Sequence, residues 1–154
     1  MLESLREKMK GAYLQKVKGE CIFCHLLEED SDKIIYETED FAVFPPLKSG
    51  ALKDAHLLLV PKTHFDSFFK MEQEDVSSYF KQIHSFLNEV RDKSHYSGAN
   101  LLSANGSSAQ QSINHLHFHV VLREESEDYD LWPDTEYNGE NFDEVNKELK
   151  NLLN

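Results

Sequence analysis

Three histidines alternate with apolar residues in His115-Leu116-His117-Phe118-His119-Val120-Val121. On an extended strand successive side chains point to opposite faces. His115, His117 and His119 therefore share one face, and Leu116, Phe118 and Val120 turn into the core. Same-face neighbours lie roughly 7 Å apart along a strand. Such a row can flank a tetrahedral phosphorus centre, with one imidazole attacking and another steadying oxygen. Neutral imidazole suits the task, because an unperturbed pKa of about 6.5 leaves a lone pair near pH 7. Two plainer readings compete. A solvated polar face would more often use Thr, Lys or Glu than three of the chain's eight histidines. One metal ion held by all three is awkward, because the outer pair stand about 13 Å apart while metal–nitrogen bonds are about 2 Å.

The segment before the row, Asn105-Gly106-Ser107-Ser108-Ala109-Gln110-Gln111-Ser112, is rich in donors. Gly106, the serines at 107, 108 and 112, and Gln111 offer backbone N–H, hydroxyl and amide groups. Such a nest holds phosphate oxygens without any lysine. Alone it would read as an ordinary polar turn; its place beside the histidines tips the reading toward phosphate.

A second candidate is Cys21-x-x-Cys24, which contains both cysteines of the chain. The spacing is that of half a zinc site, and two free thiols or a redox pair remain open readings. His25 adjoins Cys24 and is an alternative ligand. The opening MLESLREKMKGAYLQKV has no signal-peptide core, so a reducing, cytoplasmic setting is expected.

These groups need elements to place them. Leu2, Leu5, Met9 and Ala12/Tyr13 predict an amphipathic helix over 2–17, ended near Gly19. Short strands are expected over 33–37 and 41–44, joined by Thr38-Glu39-Asp40 and stopped by Pro45-Pro46. His56–Val60 reads as a buried central strand. Val76, Tyr79/Phe80, Ile83, Phe86/Leu87 and Val90 predict one long helix from about 72 to 94. Strands over 99–104 and 116–123 complete the sheet. Residues 124–130 read as a solvated acidic loop, and Phe142, Val145, Leu149 and Leu152/Leu153 predict a last helix. The class is α+β, with a mainly antiparallel five-stranded sheet and one long helix.

With 154 residues, one domain with a real core is expected. Acidic residues outnumber basic ones by 28 to 16, a net charge of −12 that repels a nucleic-acid polymer. A small phosphorylated ligand in a neutral pocket is still admitted. No apolar run approaches the roughly 20 residues of a membrane span.

HLHFHVV resembles the signature of the histidine-triad (HIT) superfamily. CIFC, KIIYET, HLLLVPKTH, the Gly/Ser/Gln loop and Trp132-Pro133 follow in the order that family shows. The likeness, closest to bacterial-type members, spans about 20–133. It leaves 1–19 as a helical extension and 134–154 as an acidic loop and helix.

The resemblance implies a homodimer that binds a purine nucleotide or its conjugate and hydrolyses or transfers nucleoside monophosphates. By the same resemblance His117 is the nucleophile at the α-phosphorus. His119 contacts phosphate oxygen and assists the leaving group, and His115 completes the triad. Gln111, Ser112, Gly106 and Asn105 line the nucleotide pocket, with His56 in support. The likeness also implies a structural zinc held by Cys21, Cys24, His64 and His115, and no organic cofactor. His84 and His95 receive no role. The chain departs from many relatives at Phe44-Pro45-Pro46, which offers no polar side chain for ribose, and at Ala104, where Asn or Gln is common. A non-catalytic nucleotide-binding module and a metal-dependent hydrolase are the competing functions.

Overall fold

The strands Tyr36–Glu37 (β1), Phe41–Phe44 (β2), His56–Pro61 (β3), Gly98–Leu102 (β4) and Phe118–Arg123 (β5) form one sheet in the order β1-β2-β3-β5-β4. Every neighbouring pair is antiparallel. The helices are Ile22–Glu29 (α1), Gln73–Lys93 (α2) and Phe142–Leu153 (α3). This computed structural model describes residues 21–29, 31–126, 129–131 and 139–153. The helix expected over 2–17, its end at Gly19, and Trp132-Pro133 lie outside those residues.

Both faces of the sheet are covered, which explains the unbroken apolar runs of its central strands. All residues of β2 and β3 are buried. On one face α2 lays Tyr79, Ile83 and Phe86 over Phe41, Val43, Leu57, Leu59, Leu116 and Val120. That stripe follows the helical repeat, and Tyr79 Oη donates to the Leu59 carbonyl at 2.6 Å. On the other face α1 packs Phe23 and Leu26 against Ala42, Phe44, Leu58 and Val60. Thr38 closes the β1–β2 turn, its hydroxyl accepting from the backbone N–H groups of Asp40 and Phe41.

The structure corrects three sequence expectations. The segment holding the cysteines, to which sequence reasoning assigns no element, enters a helix: Cys21 stands at the threshold of α1 and Cys24 within it. The first strand shrinks from 33–37 to two residues, because Ser31–Lys33 winds into a 3₁₀ turn. The strand expected over 116–123 pairs only from Phe118 onward. Leu116 still alternates correctly, its N–H donating to the Phe65 carbonyl at 2.7 Å outside the sheet. The last helix forms as expected, with Phe142, Val145, Leu149, Leu152 and Leu153 exposed.

Candidate active site

The three histidines do share one face. The His115 and His117 rings lie against Phe23 of α1, and Leu116 and Val120 belong to the core beneath α2. The Phe23 ring stands edge-on to His115 and His117, with centroids at 5.8 and 5.2 Å. His117 and His119 follow with ring centroids 5.0 Å apart. His115 and His117 are buried, and His119 is partly open.

Hydrogen-bond partners define the ring tautomers, because a carbonyl only accepts and a backbone N–H only donates. His117 Nδ1–H donates to the His115 carbonyl at 2.8 Å. In the neutral ring the lone pair therefore sits on Nε2. Burial pushes the His117 pKa below the ordinary imidazole value, partly opposed by this carbonyl. The ring is thus favoured in its neutral form at pH 7, which is the form a nucleophilic imidazole needs.

His119 is held from the neighbouring strand. Leu52 N–H donates to His56 Nδ1 at 3.0 Å, and His56 Nε2 lies 2.9 Å from His119 Nδ1. The proton on His56 is therefore on Nε2, and that of neutral His119 is on its own Nε2. His119 presents a donor where His117 presents a lone pair.

The loop before the row folds around Gly106, whose φ of 88° lies where side chains are disfavoured. Gly106 N–H donates to Gln111 Oε1 at 2.8 Å. Gln111 Nε2 donates to the Asp66 and Ile113 carbonyls. These groups brace the loop in this structure. Asn105 accepts from Phe68 N–H through Oδ1 at 2.7 Å and donates through Nδ2 to Ser103 Oγ at 3.1 Å. Ser103 in turn donates to the His117 carbonyl at 3.2 Å. Asn105 thus reaches the triad through Ser103, a residue that sequence reasoning missed. Ser112 is exposed at the end of the loop.

Behind the triad, Cys21, Cys24, His64 and His115 bring their ligand atoms within 4.8 Å of one another. Cys21 Sγ lies 3.3 Å and Cys24 Sγ 3.6 Å from His115 Nδ1, and Cys24 Sγ lies 3.4 Å from His64 Nδ1. Donor separations of this size suit a tetrahedral ion with bonds of about 2.0–2.3 Å. Each ring is also fixed from behind. His115 Nε2–H donates to the Pro61 carbonyl at 2.8 Å, and His64 Nε2 meets Asp66 Oδ1 at 3.0 Å. Both rings therefore turn Nδ1 to the sulfurs, an outer support typical of metal-binding histidines. Burial and the neighbouring Cys21 push the Cys24 thiol up to about 11. Burial pushes His115 down to about 4. A bound cation would offset the first effect and needs the neutral ring that the second supplies. The residues fit zinc.

His25 lies 3.6 Å from Glu29 and outside this cluster. His84 and His95 engage Asn88 and Glu124 on the surface. Sequence reasoning missed α1 and its Phe23, although Ile22, Phe23 and Leu26 carry a helical signal. It also missed Asp66.

The HIT domain profile matches residues 28–126, well over half of the chain. The chain belongs to the HIT family. An uncharacterized HIT-like protein of Methanocaldococcus jannaschii is 34% identical over 131 residues, covering 84% of this chain and 98% of that protein. The adenosine 5′-monophosphoramidase of Schizosaccharomyces pombe is 24% identical over 137 residues, covering 86% and 98%. A crystal structure of a zinc-bound histidine-triad protein from Mycobacterium smegmatis is similar with a TM-score of 0.63 and 26% identity, covering 76% of this HIT chain and 84% of that one. Among the described residues no helix is long and apolar enough to cross a membrane.

Proposed function

We propose that this HIT protein is a hydrolase or transferase acting on nucleoside 5′-monophosphate derivatives at the α-phosphorus. Phosphoramidates, acyl-adenylates and dinucleoside polyphosphates are its substrate class. The observation that carries the reading is the His117 Nδ1–H bond to the His115 carbonyl, which leaves Nε2 as a neutral lone pair. In the first step Nε2 bonds to phosphorus, and the bond to the leaving group breaks. The leaving group takes up a proton from solvent as it departs, and the attacking water returns one to solvent in the second step. Water then displaces the nucleotidyl group from His117 and regenerates the ring. Splitting one displacement into two lowers each barrier. His119 Nε2–H donates to phosphoryl oxygen, the kind of fixed dipole that stabilises developing charge. Ser112 and loop N–H groups take the remaining oxygens, with Asn105, Gly106 and Gln111 holding the loop in shape.

The named activity of the fission-yeast relative supports the phosphoramidate member of this class. The activity is assigned to 20–133, with 1–19 and 134–154 as extensions, in a cytoplasmic homodimer. Cys21, Cys24, His64 and His115 would hold zinc, supported by their convergence and by the zinc-bound relative. Such a closed four-ligand set supplies cross-linking of α1, the turn after β3 and the triad segment, and leaves no position for activated water.

A panel of adenosine and guanosine phosphoramidates, acyl-adenylates and dinucleoside polyphosphates at equal concentration tests the reading. A rapid burst, with nucleotide trapped on His117 in an acid-labile, alkali-stable bond, is expected. Tight nucleotide binding with no turnover of any of them would instead make the protein a binding module.

A further inference from the structure

Tyr129 lies in the stretch that the sequence marks as a solvated acidic loop, yet it is half-buried and anchored from several sides. Lys53 Nζ and the Arg123 guanidinium both approach its ring, at 5.8 and 5.2 Å from the centroid. Its carbonyl accepts from Arg123, which also donates to Asn100 Oδ1 at 2.9 Å. Lys53 is tied to the Leu122 carbonyl at 3.3 Å. At the centre of this arrangement Tyr129 Oη donates to the Leu52 carbonyl at 3.2 Å.

Leu52 is also the residue whose N–H donates to His56 Nδ1 at 3.0 Å. We propose that Tyr129 is a positioning residue for His119, acting through the backbone of Leu52 and the ring of His56. The proposal rests on the triad chemistry above and adds a residue to it.

The physical argument concerns which nitrogen carries a proton. With Leu52 N–H at His56 Nδ1, the His56 proton must sit on Nε2 and point at His119 Nδ1, 2.9 Å away. His119 then keeps its own proton on Nε2, ready to donate to an anionic oxygen. If the Leu52 N–H swings away, His56 is free to carry its proton on Nδ1. His56 Nε2 then accepts from His119 Nδ1–H, and His119 Nε2 becomes a lone pair facing the anion. Attraction turns into repulsion with no change in sequence at either histidine. Leu52 itself is exposed and sits in the loop before β3, so its own packing does little to hold it. The Tyr129 hydroxyl supplies a tether at the Leu52 carbonyl.

Tyr129→Phe removes one oxygen and keeps the ring beside its two cations. In protein labelled with ¹⁵N at histidine, the wild type should show His56 and His119 each protonated at Nε2. The variant should show a second His56 tautomer or exchange broadening at both rings. With an adenosine phosphoramidate, kcat should fall about fivefold, the scale of one lost hydrogen bond, with KM nearly unchanged. Wild-type ¹⁵N shifts and kcat in the variant would overturn the proposal. So would a lowered melting temperature with unaltered tautomers, which would make Tyr129 merely structural. If the wild type cleaves no nucleotide at all, the hydrolase reading fails, and the ¹⁵N spectra still decide the role of Tyr129.

Discussion

The His115 carbonyl accepts the Nδ1–H of His117 at 2.8 Å, and the His115 side chain turns its own Nδ1 toward two cysteine sulfurs. One residue thus orients the His117 ring with its backbone and joins the cysteine cluster with its own ring. Phe23 fills the angle between the two rings and belongs to α1, the helix that carries Cys24. The cluster and the triad are consequently parts of one packed unit.

The first prediction follows from the middle of that unit. His117→Ala should fold normally and lose several orders of magnitude in kcat/KM, because the covalent path vanishes with Nε2. Each tenfold corresponds to about 1.4 kcal/mol of transition-state stabilisation. Steady-state kinetics with a phosphoramidate checks it. Retention of more than about a tenth of wild-type kcat/KM would remove His117 as the nucleophile.

Much of this arrangement is legible in the residues. The alternation of His115, Leu116, His117, Phe118 and His119 places the triad on one face even though pairing begins only at Phe118. The long helix is legible because Val76, Tyr79, Ile83, Phe86 and Val90 recur at three- and four-residue steps along a 21-residue helix, about six turns of 3.6 residues each. Helix α1 is harder to read: Ile22, Phe23 and Leu26 carry a helical spacing, but eight residues hold few periods and Cys21 and Cys24 suggest a loop-borne metal knuckle. The tautomer partners are hidden for a different reason. The Pro61 and His115 carbonyls and the Leu52 N–H are backbone groups, which every such residue carries, so residue type says nothing of their aim. Asn105 and Gln111 are legible as polar loop residues, but their specific partners depend on how the loop closes over Asp66 and Phe68.

Stability should depend on pH through the buried rings. Burial holds His56, His115 and His117 below the ordinary imidazole value, His115 at about 4. In the unfolded chain each titrates near about 6.5. Between the two values the unfolded chain binds more protons, so stability is full above about 6.5 and is lost as pH falls toward the folded values. In metal-stripped protein the melting temperature should decline from pH 6.5 to 5, above the range where carboxylates titrate. A flat melting temperature across that window would show that these rings are protonated in the folded state.

Among the described residues β4 is an edge strand of the sheet and pairs with β5 alone. Gly98-Ala99-Asn100-Leu101-Leu102 carries no charge or proline to discourage pairing. Leu101 and, on α2, Phe80 are each 41% exposed. The expected homodimer therefore joins two β4 edges. Sedimentation at micromolar concentration should give twice the 17.9 kDa chain mass. Leu101→Lys should shift the protein toward the monomer. A wild-type value of one chain mass under those conditions would contradict the dimer.

Zinc is the last expectation, as a structural metal rather than a catalytic one. Its ligands come from the start of α1, the turn after β3 and the triad segment, which are distant in sequence and joined by no covalent link. Purified protein should carry about one zinc per chain. Replacing Cys21 and Cys24 together with Ser should abolish metal binding and lower the melting temperature by several degrees, a loss of about 2 kcal/mol. Turnover should fall further than the folded fraction does, because His115 loses its anchor and its carbonyl no longer aims His117 firmly. It should persist at about a tenth of wild type or more, since neither cysteine meets the phosphorus. Metal analysis and calorimetry of the double variant check these points. Absence of zinc from protein purified without chelator, or an unchanged melting temperature, would remove the structural metal. Unchanged stability with complete loss of activity would make the metal catalytic, and the division of labour between the cysteine cluster and His117 would have to be reversed.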